Sequence, residues 1–454
     1  MALNVSSEIS HLSGVIVHTP GPELSWVHPG MKHELLFDDI IFEEHAREEH
    51  LDMLEVFKTI MKDPTQVYEI RDLFSQCFEQ KEAREYFIDE LIRAFPNLPL
   101  SLVQRELEAL EPSDLLLWAI EGSDSFAKHM SSLSGLRSAS GLESENRLRA
   151  LANIPIQPIP NLLFTRDLAA VIGNQIILSR AATPARLRES ILMDTLVHYH
   201  PLFNPVRNSI IQLPAEQSIE GGDILVASEK LILIGISERS SFAGVLKASE
   251  SLMTRGVETI LAIDIPKQRS SMHLDTIFTF ASEYECVIYP PVFQNKANNV
   301  VALRKQDDQI VVESRYHIKE ALEEFTGREY TFIFCGGSER VQQEREQWTD
   351  GANVFALAPG VIMGYDRNTY TFKALEEHGY TYLKTHEFLE EYGNKNYDWS
   401  KHKSTKNKIA IGFEGHELCR GRGGARCMTL PIHRTPLTYM SPHDKATKRF
   451  IIDA

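Results

Sequence analysis

The chain has 454 residues, 24% of them charged, and a formal net charge of −16 at pH 7. This balance argues against nonspecific binding of nucleic acid, and no apolar run is long enough to cross a bilayer. The first residues lack the basic and apolar segments of a signal peptide. The five cysteines include no Cys-x-x-Cys pair, so we expect no disulfide framework, no structural zinc site and a cytoplasmic location.

The first third of the sequence contains a buried strand around Val15 and an acidic helix predicted over 43–59. From 71 to 150, apolar residues recur at helical spacing and prolines separate the segments. A serine-rich stretch over 131–144 is typical of a loop. We interpret 71–150 as a helical insertion within one α/β catalytic domain that spans 1–454.

After residue 150 a hairpin-then-helix pattern repeats. Two short apolar runs around a tight turn predict a hairpin, and the copies lie at 167–179, 223–235 and 353–365, with a weaker copy at 275–289 and a candidate copy at Val15. The helices that follow the first three copies are predicted over 184–193, 240–252 and 371–378. Recurring units of this type predict a radial α/β array, in which each unit sends one loop into a shared centre.

The segment 421–431 places three glycines just before a single cysteine, Cys427. Glycine lets a ligand approach the backbone closely. The cations of Arg420, Arg422 and Arg426 are expected to favour the thiolate, so the pattern predicts a nucleophile. The alternative is a glycine loop before a C-terminal strand, with the cysteine packed as a small apolar side chain.

Three other loops carry polar residues at the edges of the repeats, at 161–167, 220–223 and 273–276. Alone, each would be interpreted as a turn or a cap. Together with Cys427 they provide a nucleophile, a histidine and several carboxylates. Carboxylates pair with a guanidinium, a thiolate adds to its carbon, and a histidine transfers protons. The set therefore predicts chemistry on a planar, cationic carbon.

In their order along the chain, these motifs resemble those of the arginine deiminase family within the guanidine-modifying superfamily. The motifs are Val-His-Thr-Pro-Gly at 17–21, Leu-Leu-Phe-Asp-Asp at 35–39, Phe-Thr-Arg-Asp at 164–167, Glu-Gly-Gly-Asp at 220–223, His-Leu-Asp-Thr at 273–276, Trp-Thr-Asp-Gly at 348–351, Ala-Pro-Gly at 358–360 and Arg-Gly-Arg-Gly-Gly-Ala-Arg-Cys-Met at 420–428. The resemblance covers nearly the whole chain.

The resemblance implies a five-bladed, pseudo-symmetric α/β propeller of ββαβ-type units with a helical-bundle insertion. It also implies a cofactor-free and metal-free hydrolysis of free L-arginine to L-citrulline and ammonia, in arginine catabolism. We further expect a homo-oligomer, either a dimer or a tetramer, and no nucleic-acid or membrane partner.

The site residues follow from the resemblance as well. It implies Cys427 as the nucleophile that forms an amidino-cysteine intermediate, His273 as the general acid and base, and Glu220 as the carboxylate that orients the histidine. The implied substrate contacts are Asp167 and Asp275 on the guanidinium, Arg186 and Arg239 on the α-carboxylate, and lesser contacts from Asn161, Phe164 and the backbone near Gly421.

Some positions leave alternatives open. Arg186 shares its predicted helix with Arg188, and one of these two arginines is expected to lie on a solvated face. Arg239 would also suit the first turn of a helix. Cys419, His416 and His433 depart from the commoner family pattern, although none of them replaces a catalytic residue.

Two other interpretations of the function remain. The first is another enzyme of the superfamily: an amidinotransferase, a methylarginine hydrolase or an agmatine deiminase. The second is an inactive relative that binds arginine or a protein partner. The two carboxylate-binding arginines and the helical insertion favour an arginine deiminase, because agmatine has no carboxylate. The intact set of cysteine, histidine and carboxylates argues against an inactive relative.

Overall fold

A computed structural model describes residues 3–61, 63–134, 149–293, 299–306 and 309–437. Within these ranges the chain is a mixed α/β protein whose strands form five small sheets. The strands are β1 Leu12–Val17, β2 Val67–Glu69, β3 Ala169–Ile172, β4 Gln175–Leu178, β5 Ile210–Ile211, β6 Ile224–Ser228, β7 Leu231–Ile236, β8 Thr259–Asp264, β9 Phe278–Phe280, β10 Glu285–Ile288, β11 Val300–Gln306, β12 Gln309–Arg315, β13 Thr331–Phe334, β14 Phe355–Ala358, β15 Val361–Tyr365, β16 Tyr380–Lys384, β17 Lys408–Phe413 and β18 Leu430–Arg434.

Four sheets contain a hairpin whose second strand pairs in parallel with a later strand. The hairpins are β3–β4, β6–β7, β9–β10 and β14–β15, and the parallel partners are β5, β8, β13 and β17. Left-handed glycines such as Gly173, with φ 53°, and Gly360, with φ 74°, form two of the turns. The hairpins predicted at 167–179, 223–235, 275–289 and 353–365 are therefore confirmed.

The fifth sheet joins the two ends of the described chain. β1 pairs antiparallel with β18 and parallel with β2. The strand around Val15 thus belongs to a unit of the same plan, but the interpretation of this segment as another local hairpin copy is wrong. Its antiparallel partner comes from the opposite end of the chain, and a local pattern cannot show such a pairing.

Helices connect the strands that run parallel, because a parallel connection needs a crossover. The crossovers contain Glu43–Ile60, Leu187–Tyr199, Phe242–Met253, Ile318–Thr326 and Thr369–Glu377. The other helices are Pro22–Ser25, Lys32–Leu35, Ile70–Phe78, Lys81–Ala94, Gln104–Glu108, Pro112–Ser134, Pro290–Phe293, Arg340–Trp348 and Thr385–Tyr392. None of the helices in the described part is long and apolar enough to span a bilayer.

In the region predicted as an insertion, the described residues after 70 form helices joined by short turns and include no strand. Its long helix Pro112–Ser134 kinks at Gly122, where φ is 84° and a Cβ would lie 2.6 Å from the carbonyl oxygen of Ile156. Residues 131–134 end this helix, so the loop predicted over 131–144 is wrong there, and 135–148 lie outside the described residues. Whether 71–150 is an insertion remains a prediction.

The five cysteines are all buried and form no disulfide. Cys77 and Cys286 lie in apolar clusters, where burial raises the pKa of each thiol. These two cysteines behave as small apolar side chains.

Candidate active site

A short turn precedes the first strand of each unit, and polar residues lie on all five turns. The turns are Thr165–Leu168 before β3, Gly221–Asp223 before β6, Leu274–Thr276 before β9, residues 349–354 before β14 and residues 425–428 before β18. Four of these turns carry Asp167, Glu220, His273, Asp275 and Cys427 or begin directly after them, and the fifth carries Asn353.

Successive turns are joined by hydrogen bonds through buried side chains. The Leu274 N–H donates to Asp223 Oδ1 at 2.8 Å, and Asn353 Nδ2 donates to the carbonyl of Asp275 at 3.0 Å. Asn353 Oδ1 then accepts the N–H of Cys427 at 3.1 Å. In each of these links, a side chain of one turn bonds to the backbone of a neighbouring turn and fixes its position.

The remaining two contacts between turns involve the Thr165–Leu168 turn. The Arg166 N–H donates to the carbonyl of Cys427 at 3.1 Å, and a Cβ on Gly221 would lie only 2.1 Å from the carbonyl oxygen of Arg166. A Cβ on Gly222 would lie 2.7 Å from His273 Nδ1 and 2.8 Å from Asp167 Oδ1. The two glycines let the turns approach closely enough to bring the acid and the histidine together.

On one side of the site, His273 and Glu220 form a buried ion pair. His273 Nε2 lies 2.9 Å from Glu220 Oε2, and His273 Nδ1 lies 3.6 Å from Asp167 Oδ1. Burial alone would lower the pKa of His273, but the Asp167 charge and the bond to Glu220 raise it to about 9. Burial alone would raise the pKa of Glu220, but His273, Arg239 and Arg186 lower it to about 2. At neutral pH this side holds an imidazolium and a carboxylate.

On the other side, Cys427 faces carboxylates. Its Sγ lies 3.8 Å and 4.0 Å from the two oxygens of Asp275. Burial, followed by the charges of Asp275, Asp167 and Asp350, raises the pKa of Cys427 well above its ordinary value. The free protein therefore holds Cys427 as a thiol, because burial and the surrounding carboxylates outweigh the interaction of its sulfur with the Arg422 cation.

The prediction that nearby arginines favour the Cys427 thiolate is wrong. Arg420 is bound to Asp39 and Glu417. Arg422 stacks on Trp348, 3.8 Å from the ring centroid. The third cation, on Arg426, is bound to two carboxylates. Arg422 still acts on the Cys427 charge, and Arg426 acts on the carboxylate beside the sulfur, but burial and the acids outweigh both cations.

The two arginines predicted to hold the substrate carboxylate differ in their present partners. Arg186 is ion-paired with Asp167 and Glu189, and it also donates to the carbonyls of Asn161 and Phe164. Among the described residues, Arg239 Nε and Nη1 have no hydrogen-bond partner, although Nη1 lies 3.6 Å from Glu220 Oε1. Arg239 is thus the more available donor of the two.

Arg188 does not lie on a solvated face. Arg186 and Arg188 are 5% and 6% exposed, so the expectation that one of them faces solvent is wrong. Arg188 donates to the carbonyl of Gln157, and burial lowers its pKa to about 10. The helical spacing predicted that one of the two arginines would face solvent, but the elements packed against this helix bury both side chains.

The lesser predicted contacts lie along the wall beside Cys427. Asn161 Nδ2 donates to the carbonyl of Leu35 at 2.6 Å. A Cβ on Gly421 would lie 3.1 Å from the ring of Phe164, and one on Gly423 only 2.4 Å from it. The ring of Phe164 therefore packs directly on the backbone of the cysteine loop.

Comparison with known proteins assigns the family. The sequence profile of arginine deiminase matches residues 33–434. The arginine deiminase of Listeria monocytogenes serotype 4a (strain HCC23) is 33% identical over 446 residues, which cover 96% of this chain and 98% of the relative. That of Borreliella afzelii is 33% identical over 452 residues, with 95% and 98% covered. The chain belongs to the arginine deiminase family.

The family assignment makes the chain an enzyme, a hydrolase of the arginine deiminase type that acts on the C–N bond of a linear amidine. Among solved structures, an amidinotransferase of the saxitoxin pathway from Microseira wollei aligns over 97% of this chain and 99% of its own. Its sequence identity is 12% and its TM-score is 0.43. This likeness is too distant to add to the family assignment.

In this arginine deiminase site the donor atoms of Asp167, Glu220 and His273 lie within 4.8 Å of one another, a spacing that metal sites share. The carboxylates already face cations, however. Arg186 is ion-paired with both of them, Arg239 with Glu220, and His273 itself is protonated. Because guanidinium and imidazolium groups balance their charge, we assign no metal ligand here.

Two structural residues of the site were not recognised from the sequence. Asn353 and Asp223 are fully buried and link successive turns. Asp223 also accepts the hydroxyl of Ser237 at 2.5 Å. Both residues come just before a strand of a predicted hairpin, which is the position of Asp167. Comparing equivalent positions of the repeats would have identified them.

Proposed function

We propose that the chain hydrolyses free L-arginine to L-citrulline and ammonia through a covalent amidino-cysteine at Cys427. One observation carries the proposal. A buried thiol lies 3.8 Å from the carboxylate of Asp275, and His273, two residues before Asp275, is ion-paired with Glu220. A nucleophile, an acid–base group and a carboxylate that can hold a guanidinium thus occupy one enclosed site.

The five units are proposed to surround this site as the blades of a pseudo-symmetric propeller. Each unit contributes the turn before its first strand, and the five turns contact one another in succession. The helices after residue 70 would then be an insertion between two blades. This arrangement explains why residues from distant parts of the sequence share one site.

Substrate binding would place a further cation beside Cys427. Asp167 and Asp275 would hold the planar guanidinium, because a cation in a closed site needs charged partners. The charges of these two carboxylates contribute to the high pKa of Cys427. A bound guanidinium neutralises them, so it lowers the pKa of the thiol beside its own carbon. The substrate thereby promotes formation of the thiolate that attacks it.

The chemical steps then follow from the protonation states. The Cys427 thiol releases its proton to solvent as the guanidinium binds. The thiolate forms a bond to the guanidinium carbon, and the His273 imidazolium donates its proton to the amine that leaves as ammonia. The neutral His273 next takes a proton from water, and the resulting hydroxide adds to the amidino carbon. The C–S bond then breaks, the hydroxyl proton passes to the departing sulfur, and citrulline leaves, which restores the thiol. Glu220 keeps His273 oriented and its cation stable throughout.

Recognition of the α-carboxylate is assigned to Arg239 with Arg186. Arg239 has two nitrogens without a hydrogen-bond partner among the described residues. Arg186 would have to release one of its present acceptors before it could join the contact. A charge-assisted fork of this kind selects a free amino acid, because a peptide bond would remove the carboxylate.

The experiment measures citrulline-type product from L-arginine, agmatine and methylarginine with the wild type, Cys427→Ser and Cys419→Ser. We expect turnover of L-arginine, no turnover with Cys427→Ser, and most of the turnover with Cys419→Ser, because Cys419 is bonded to Arg367 instead. An acid-quenched reaction should carry an amidino group on the Cys427 peptide. Citrulline formation by Cys427→Ser near the wild-type rate would disprove the mechanism. Equal use of agmatine would place the chain with agmatine deiminases.

A further inference from the structure

Behind the nucleophile lies an ion network that the proposed mechanism does not use. Arg426, the residue before Cys427, is 1% exposed. Its Nε and Nη2 each donate to an oxygen of Glu8 at 3.0 Å, and its Nη1 donates to Asp275 Oδ2 at 2.7 Å. One buried guanidinium therefore bridges two carboxylates, and one of them is a candidate substrate ligand.

The Glu8 end of the bridge is held firmly to a strand. The Glu8 N–H donates to the carbonyl of Val226 at 2.7 Å, and Glu8 Oε1 accepts the N–H of Val226 at 3.2 Å. Arg426 Nη2 also donates to the carbonyl of Ile224 at 2.8 Å. Burial alone would raise the pKa of Glu8, but Arg426 and Arg166 lower it to about 2. An ionised Glu8 thus fixes the guanidinium with a bidentate contact.

The Asp275 end of the bridge faces the reacting sulfur. Asp275 Oδ2, which accepts from Arg426, is also the oxygen 3.8 Å from Cys427 Sγ. The other charged or titratable groups that act on Asp275 come from its own turn and two others: His273, Asp167, Arg166 and Asp350. Burial raises the pKa of Asp275, and Arg426, the cation in direct contact with it, is the largest of the influences that lower it.

We propose that Arg426 is a positioning residue whose positive charge is shared between Glu8 and Asp275. The share on Asp275 keeps this carboxylate deprotonated. The share on Glu8 prevents Arg426 from neutralising Asp275 completely, so Asp275 can still bind a guanidinium. Without Arg426, the buried Asp275 would lie among other acids and would take up a proton. Without Glu8, Arg426 would pair with Asp275 alone and would compete with the substrate cation. The statement about substrate rests on the function proposed above.

Loss of Arg426 and loss of Glu8 should change the pH profile of kcat/KM in different ways. An adjacent arginine lowers the pKa of an aspartate by about 1–3 units. Arg426→Gln should therefore move the acidic limb of the profile to higher pH by about one unit or more, with activity recovered above the new limb. Arg426→Lys should keep the wild-type limb. Glu8→Gln should raise KM for arginine without moving the limb upward.

The controls separate a charge effect from a folding effect. Arg420→Gln removes a half-exposed arginine of the same loop and should leave both KM and the limb unchanged. If Arg426→Gln does not fold because Glu8 is left unpaired, the neutral pair Glu8→Gln/Arg426→Gln replaces it and should show the same upward shift. An unmoved limb in the folded glutamine variant, or an equal upward shift in Glu8→Gln, would overturn the proposal.

A second measurement needs no turnover. The rate of alkylation of Cys427 by iodoacetamide, followed by peptide mapping against pH, reports the ionisation of its thiol beside Asp275. The pH at half-maximal alkylation should be higher than in the wild type for Arg426→Gln, because this change removes a cation beside Asp275. It should be lower than in the wild type for Glu8→Gln, because Arg426 then no longer pairs with Glu8. Identical alkylation midpoints in the wild type and the two variants would contradict the proposal that Arg426 shares its charge between Glu8 and Asp275. A wild type that alkylates as expected but makes no citrulline would instead overturn only the proposed function.

Discussion

His273 and His18 are both 1% exposed and both bonded to buried carboxylates. His18 Nε2 lies 3.1 Å from Glu23 Oε1, and its Nδ1 lies 2.9 Å from Glu69 Oε1. Burial alone would lower the pKa of His18, but Glu23 and Glu69 raise it to about 10. The shift is similar to that of His273, whose pKa is about 9.

The two histidines differ in what their second nitrogen does. Both nitrogens of His18 are held by carboxylates, and those carboxylates also accept the N–H groups of Gly21 and Thr19. His273 has one nitrogen bonded to Glu220, while its Nδ1 is 3.6 Å from Asp167. An imidazolium with both nitrogens hydrogen-bonded to carboxylates holds structural elements together. An imidazolium with one nitrogen outside hydrogen-bonding distance can transfer a proton from that nitrogen. A raised pKa alone does not distinguish the two cases.

The largest effect expected from this comparison is on kcat. His273→Asn should lower kcat for arginine by about 10²–10⁴-fold, the range for loss of a general acid and base. The matched change His18→Asn should keep most of the activity, since that histidine touches no reacting group. Steady-state citrulline assays of both variants test this. Comparable losses of kcat in two folded variants would contradict the distinction drawn here.

The next effect concerns the carboxylates around each histidine. Asp275→Ala should lower kcat/KM for arginine by about 10²-fold, because a misplaced guanidinium carbon is poorly aligned for attack. Both binding and rate should suffer. The control is Glu69→Ala, which removes a carboxylate from His18 and should leave kcat/KM nearly intact. An unchanged kcat/KM for Asp275→Ala would remove this residue from the site.

A smaller effect on kcat/KM is expected from Arg239, which is proposed to bind the α-carboxylate of the substrate. Losing one partner of a buried charged contact costs about 2–5 kcal/mol. Arg239→Ala should therefore reduce kcat/KM for L-arginine by at least about 30-fold. Its effect on agmatine should be much smaller, because agmatine has no carboxylate. Measuring both substrates with wild type and variant tests the assignment, and an equal loss for both would reject it.

The smallest effect on catalysis belongs to His18, whose removal should appear in stability. Breaking a buried ion pair costs about 3–5 kcal/mol, so His18→Gln should lower the free energy of unfolding by about that amount at neutral pH. The folded pKa of about 10 lies above the unfolded value near 6.5. The stabilisation is thus complete below pH 6.5 and is lost as pH rises through about 10.

Denaturant unfolding of wild type and His18→Gln across this pH range measures the difference. The gap between the two proteins should shrink as pH approaches 10. A gap that stays constant from pH 6 to pH 10 would show that the loss comes from packing and not from the ion pair.

The sequence by itself determined the local elements and the family. The four hairpins were predictable because short apolar runs and tight turns act over a few neighbouring residues. The ordered motifs around Asp167, Glu220, His273 and Cys427 pointed to arginine deiminase, and the family match agrees. These features need no knowledge of which distant segments meet.

Only the tertiary structure decided the pairings and charges that the motifs leave open. The fifth sheet pairs β1 with β18, and no local pattern encodes a contact between opposite ends of the chain. The arginines near Cys427 in sequence direct their cations to Asp39, Trp348 and Glu8. Burial and side-chain direction determine which charges a thiol meets, and both arise only when separate turns pack together.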